Sequence, residues 1–124
     1  MSIEIILRFL FDGERSFDLS QLKELLPSCE IKLHRKGKED IYSVMRSNLV
    51  IDIIRRNEFY NEQKIKDTIK TVFKYINKDD STLEKEFYVS FVSDENRSGF
   101  EYSEELIQLL YEYNLKIIFS GIFI

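Results

Sequence analysis

A strand-loop-helix-strand pattern occurs twice in the chain, and this repeat constrains the fold more than any other feature. The stretch DGERSFDLSQL at residues 12–22 returns as DENRSGFEYSEEL at residues 94–106. In both copies an apolar strand precedes the loop, and the leucines of a helix and a second apolar segment follow it. We therefore predict pseudo-symmetric first and last β-α-β units in one sheet, with a hairpin strand and a long helix between them.

Hydrophobic periodicity supplies the strands. Residues 3–11 alternate, with five apolar side chains pointing one way and Glu4 and Arg8 the other, which is typical of a strand with one buried face. A polar turn, RKGKED, separates the next two strands, and Gly37 suits a positive φ there. The last segment, LKIIFSGIFI, is apolar on both faces, which indicates either an interior position in the sheet or a face used for association.

Capping residues mark the three helices. Asp18 or Ser20 is the predicted N-cap of the first, Asn61 of the second and Ser103 of the third, while Asn114 suits the left-handed conformation that ends a helix. The elements therefore predict a single two-layer α+β domain over residues 1–124, with a mixed, mostly antiparallel sheet of about five strands. The expected order is β-α-β-β-α-β-α-β.

The cysteine count and the hydropathy pattern address location. The single Cys excludes an internal disulfide framework and suits a reducing compartment. The apolar start of the chain is broken by Glu4 and Arg8 and has no basic leader, and no window reaches the ~18 apolar residues of a membrane span. We expect a cytoplasmic protein with no membrane association.

Three segments resemble the bacterial family named domain of unknown function 4279: FDLSQLKELLPSCEIKLHRKGKED, YSVMRS and SGFEYSEELIQLLYEYNLKIIFSGIFI. Pro27, Lys36 and Gly37 fit its pattern of a short helix ending at Pro and a following Lys-Gly turn. The hairpin aromatic, usually Trp, has its nearest counterpart in Tyr42, and the acidic residue of the last strand is missing. The resemblance implies a mixed sheet layered with helices and brings no catalytic residues.

The residues with catalytic potential do not assemble into an active site. Cys29 and His34 are five residues apart on an extended segment, hence ~16 Å apart and on opposite faces, whereas a nucleophilic dyad needs hydrogen-bond contact. One His and one Cys do not complete a common zinc set, and DDSTLEKE lacks the spacing of a calcium loop. We predict a protein that is not an enzyme, with no cofactor or metal site.

Charge along the chain points to a protein partner. Residues 79–124 contain ten Asp and Glu residues against three Lys and Arg residues, although the whole chain carries only −4. An acidic surface attracts a basic partner, and aromatic side chains anchor interfaces. The predicted function is an immunity protein that neutralises a cognate bacterial toxin such as a nuclease. Its predicted contact residues lie around the start of the last helix: Asp94, Glu95, Glu101, Tyr102, Glu104, Glu105 and Tyr111.

Two alternatives stay open. A small ligand bound between the two pseudo-symmetric halves would make the protein a sensor or accessory domain, and would require a pocket with converging polar groups. Nucleic-acid binding by the basic hairpin through Lys36 and Lys38 is disfavoured, because the chain is acidic overall and has no recognisable reading motif.

Overall fold

The computed structural model describes residues 2–12, 17–35, 46–56, 58–93 and 102–123. Within them the chain forms five strands and three helices in the predicted order. The elements are β1 (Ser2–Phe11), α1 (Leu19–Leu25), β2 (Glu30–His34), β3 (Ser47–Ile54), α2 (Glu62–Tyr75), β4 (Glu84–Ser93), α3 (Glu104–Glu112) and β5 (Lys116–Phe123). The predicted α+β fold, with a mixed and mostly antiparallel sheet, is confirmed. Gly37 of the predicted turn and Tyr42, which follows that turn, lie outside the described residues.

The strands form one sheet in the order β2-β3-β1-β4-β5. β1 pairs antiparallel with both β3 and β4, β2 pairs antiparallel with β3, and β4 pairs parallel with β5. The two β-α-β units each join parallel strands through a helix. They differ in that β3 lies between β1 and β2, whereas β4 and β5 are direct neighbours.

The alternation of β1 explains its central position. Ile5, Leu7 and Phe9 are fully buried on the face that carries the helices. The apolar stripe of α2 packs into the same core, and the Phe73 ring meets the Phe9 ring edge-on at 5.7 Å. Each Å² of apolar surface removed from water stabilises the fold by about 25 cal/mol. The apolar face of β1 therefore contributes most to stability when β1 has a neighbouring strand on both sides.

Side chains cap the helices as predicted. The Gln21 amide donates to Asp18 Oδ1 at 3.0 Å, the Lys64 amide to Asn61 Oδ1 at 3.1 Å and the Leu106 amide to Ser103 Oγ at 3.1 Å. Each of these bonds satisfies an N–H group that has no partner within its helix. Asn114 has a φ of 53° after α3, so the predicted left-handed helix end is also confirmed.

The position of β5 decides between the two interpretations of its apolar sequence. β5 is an edge strand, so the predicted interior position is wrong. Ile117 and Phe119 pair in register with Phe87 and Val89, whose side chains are fully buried on the helix side of the sheet. Ile117 and Phe119 therefore point to that same side, yet both remain about half exposed. A face available for association is the interpretation that remains.

Candidate functional site

The acidic residues predicted to contact a partner are only partly described. Asp94, Glu95 and Glu101 lie outside the described residues. Glu104 and Glu105 form the first turn of α3, where carboxylates are favoured by the helix dipole, and both are exposed. Their position on the surface agrees with the prediction.

Polar side chains at the start of α3 contact α2. Lys66 Nζ donates to Glu105 Oε2 at 2.7 Å, and this bond lowers the pKa of the Glu105 carboxyl and raises that of Lys66. Ser103 Oγ donates to Glu62 Oε1. Glu105 therefore faces α2 and is engaged within the molecule, which leaves Glu104 and Glu112 as the acidic side chains of α3 directed to solvent.

The two predicted aromatic anchors occupy different environments. Tyr111 is 85% exposed on α3. Tyr102 is half-buried, its ring lies 6.1 Å from that of Phe119, and burial raises the pKa of its hydroxyl. Tyr111 is thus placed to contact another molecule, whereas Tyr102 connects the start of α3 to the edge strand.

An exposed apolar flank of α3 was missed at the level of sequence. Ile107 is as apolar as its buried neighbour Leu106, but it is 52% exposed. Successive helical residues are rotated by about 100°, so Ile107 lies about 200° around the axis from Glu105, which faces α2. Ile107 therefore lies on the flank away from α2, towards the β5 edge. A helical-wheel projection of residues 104–112, drawn with Glu105 facing the preceding helix, would have placed Ile107 on the exposed flank.

Together these side chains define the α3–β5 surface: Glu104, Ile107, Tyr111, Ile117 and Phe119. The apolar members are large and exposed, and the Glu104 carboxylate stands at the start of the helix. An apolar centre with a charged rim is the usual composition of a protein interface. The backbone of β5 adds a second feature, because an edge strand can pair with a strand from another chain.

The opposite face of the sheet carries a groove of about 510 Å³, lined by residues of β1 to β4 and by Arg56. Both β-α-β units contribute strands to it. The alternation of β1 identified Glu4 and Arg8 as outward-pointing residues, but the sequence did not show that those of four strands form one concavity. Strand order was needed to bring them together.

Asp52 is the most perturbed carboxyl group of the groove. Burial and, to a smaller extent, the charges of Glu4 and Glu30 raise its pKa from 3.8 to about 7. Glu30 is the residue directly opposite Asp52 in the β2–β3 pair, and like charges in that position repel. Asp52 Oδ1 is buried, and no hydrogen bond from the described residues reaches it.

An ion pair between Arg8 and Glu86 lies two residues further along the strands from Asp52. Arg8 Nε donates to Glu86 Oε1 at 2.8 Å, and the Arg8 guanidinium lies 5.4 Å from the centre of the Tyr88 ring. Glu86 is almost fully buried. The pair holds Arg8 in place across β1 and β4, with its remaining N–H donors available for further bonds.

Cys29 and His34 lie on opposite sides of the sheet. Cys29 Sγ is 3.8 Å from Thr68 Oγ1 of α2, and burial raises the pKa of the thiol. His34 lines the groove instead. The expected separation of the two side chains is confirmed. In the part of the chain that the structure describes, no three His, Cys, Asp or Glu side chains are placed to hold a metal ion.

The arginines near the hairpin contact protein groups. Arg46 Nη1 donates to Glu84 Oε2 at 2.6 Å, and Arg55 Nε donates to Glu58 Oε1 at 2.7 Å. Arg56 Nη2 donates to Ser90 Oγ at 2.9 Å. Phosphate binding by Arg46 or Arg55 would have to compete with these carboxylates. Lys36 and Lys38 lie outside the described residues.

Comparisons with protein-family models, with curated proteins and with solved structures each gave no match. The resemblance to domain of unknown function 4279 therefore stays a prediction. Among the described residues, no helix has the length and apolar character needed to cross a membrane.

Proposed function

We propose that this protein is a non-enzymatic protein-binding module and that its partner contacts the α3–β5 surface. The observation that carries the proposal is the exposure of four large apolar side chains on α3 and the edge strand β5: Ile107 at 52%, Tyr111 at 85%, Ile117 at 45% and Phe119 at 55%. Large apolar side chains exposed in one region of the surface mark interaction sites.

The chemistry of the partner follows from charge. α3 contains three glutamates and no Lys or Arg, and Glu104 and Glu112 are directed to solvent. A basic surface complements these carboxylates, and opposite charges speed association and exclude acidic competitors. A partner strand paired with β5 would place such a surface beside α3. The partner we propose is therefore a basic protein domain.

The specific form of the proposal is an immunity protein of the cytoplasm that neutralises a basic toxin domain such as a nuclease. Covering a basic catalytic cleft with an acidic surface blocks its substrate, and this requires no catalytic group on the inhibitor. Tyr111 is the proposed aromatic anchor, because exposed tyrosines that become desolvated in an interface contribute much of its binding energy.

Capture from a lysate of the native host tests the proposal. The tagged protein is loaded at low salt, eluted with a salt gradient and compared with two variants, Tyr111→Ser and Glu104→Lys. We expect the wild type to retain a stoichiometric basic polypeptide and Tyr111→Ser to bind it about 30-fold more weakly, the loss typical of an interface hot spot. Inhibition of that polypeptide's enzymatic activity by the purified protein would support the immunity form.

Two matched controls separate the surface from general effects. Phe59→Ser removes an aromatic ring that is 96% exposed in the β3–α2 connection, and Glu24→Lys reverses an exposed charge on α1. Both should capture the polypeptide as the wild type does. If the α3–β5 variants also captured it undiminished, the proposed surface would be wrong.

A further inference from the structure

The groove on the open face of the sheet has charges of opposite sign in adjacent rows. Glu30 and Asp52 stand opposite each other in one row. Val50 lies two residues from Asp52 along β3, and it pairs with Lys32 of β2 on one side and with Arg8 of β1 on the other. A strand rises about 3.3 Å per residue, so the negative and positive rows are about 7 Å apart.

The negative row is only partly neutralised within the described residues. Lys32 Nζ lies 3.1 Å from Glu30 Oε1, but Asp52 Oδ1 is buried and accepts no hydrogen bond from the described residues. A buried acceptor without a donor costs free energy, and the facing Glu30 adds repulsion. A cationic group of a ligand placed beside the Asp52 carboxylate would offset this repulsion.

The positive row offers donors for an anion. A guanidinium has five N–H donors, and the bond from Arg8 Nε to Glu86 uses one of them. Because Glu86 also compensates the charge of Arg8, the side chain is held in one orientation before any ligand binds. A carboxylate matches the planar geometry of such a guanidinium.

The remaining lining is apolar or aromatic. Ile6 and Val50 lie on the floor, and the Tyr88 ring packs against Arg8. The volume of about 510 Å³ falls within the range of about 300–1,000 Å³ that is typical of small-molecule sites. A small organic molecule fits this space.

We propose that the groove binds a small zwitterion of the amino-acid class, with its ammonium group on Asp52 and its carboxylate on Arg8. An anion alone would be repelled by Asp52, Glu4 and Glu30, and a cation alone would leave Arg8 without a ligand. The site is on the side of the sheet opposite the helices, so it goes beyond the protein-binding function and either proposal can fail without the other.

Four probes of graded charge test the inference by NMR chemical-shift titration at pH 8. Glycine and 4-aminobutyrate are short and long zwitterions, while n-butylammonium chloride and sodium butyrate each carry one of the two charges. We expect one zwitterion to shift amide signals of β1 and β3 and to bind at least about tenfold more tightly than either singly charged probe. Equal binding of n-butylammonium, or no binding of either zwitterion at about 10 mM, would overturn the proposal.

Variants assign the binding to the two anchors. Asp52→Asn removes the negative charge at constant shape and should weaken zwitterion binding by at least about tenfold. Arg8→Lys keeps the ion pair with Glu86 but loses the planar fork, and should weaken binding severalfold. Asp67→Asn, an exposed carboxyl on α2, is the matched control and should leave affinity unchanged. Unchanged affinity in Asp52→Asn would refute the assignment.

The pH dependence gives a separate readout. Because burial raises the pKa of Asp52 to about 7, protonation between pH 8 and pH 5.5 should weaken zwitterion binding about tenfold, and Asp52→Asn should lack this dependence. We expect a His34→Gln variant to retain the full pH dependence of zwitterion binding, which would assign that dependence to Asp52. Loss of the pH dependence in His34→Gln would contradict the assignment. The charged or titratable groups that face Asp52 or line the groove are Glu4, Arg8, Glu30, Lys32, His34, Arg55, Arg56, Glu58 and Tyr88.

Discussion

Replacing Asp52 by Asn should stabilise the protein above neutral pH and have little effect in acid. Burial, with the charges of Glu4 and Glu30, raises the pKa of Asp52 from 3.8 to about 7 in the folded protein. A group with a raised folded pKa contributes its full stability below the unfolded value and loses it as the pH rises through the folded value. The wild type should therefore lose stability between about pH 4 and pH 7, and the variant should not.

The expected size of the effect follows from the same numbers. A pKa difference of about three corresponds to about 4 kcal/mol for a fully shielded group. Asp52 borders an open groove, and solvent screening reduces such energies considerably. We expect the difference in unfolding free energy between Asp52→Asn and the wild type to grow by about 1–2 kcal/mol from pH 4 to pH 8 and then to remain constant.

Urea unfolding at pH 4, 5.5, 7 and 8.5 measures this difference, with Asp67→Asn as the control that should show no such trend. If the advantage of Asp52→Asn were the same at every pH, Asp52 would have an ordinary pKa and the groove would lack the repulsion described. A loss of stability in Asp52→Asn at pH 8.5 would mean that its carboxylate makes a stabilising bond.

Three further substitutions probe the fold. Leu106→Ala empties a fully buried site and should lower the free energy of unfolding in urea by about 2–5 kcal/mol. Ile107→Ala, on the exposed flank of α3, should change it by no more than about 0.5 kcal/mol. Similar losses in the two variants would contradict the helix orientation. Asn61→Ala removes the N-cap of α2 and should lower the unfolding free energy by about 1 kcal/mol, and Asn61→Asp should restore it. Arg8→Ala leaves Glu86 charged and buried, so we expect a loss of about 3 kcal/mol by thermal unfolding and a partial recovery in Arg8→Ala/Glu86→Gln; no recovery would show that Arg8 acts through packing alone.

Local chemistry made most of the fold predictable from the sequence. The caps at Asp18, Asn61 and Ser103 depend on a side chain three residues from its amide partner, so a short window contains all the information. The inward face of β1 is equally local, because alternation is visible within the strand. The repeat then indicated one sheet, although it did not show that β3 lies between β1 and β2.

The properties that the sequence did not give depend on which elements are neighbours. Ile107 is as apolar as Leu106, and its exposure follows from the orientation of α3, which buries Leu106, Leu109 and Leu110 in the core. The pKa of Asp52 depends on Glu4 and Glu30, which come from two other strands. Neither fact has a signature within a short window, because both arise from strand order and helix orientation.

The two edges of the sheet are protected to different degrees. β2 has five residues, of which Glu30 and Lys32 carry charge, and charged side chains discourage pairing with foreign strands. β5 has eight residues, and Lys116 at its start is its one charged residue. A longer, nearly uncharged edge exposes more backbone and more apolar surface to association than β2 does. Since unprotected edges promote aggregation, we propose that a specific partner covers this one and that the glutamates of α3 favour a basic partner.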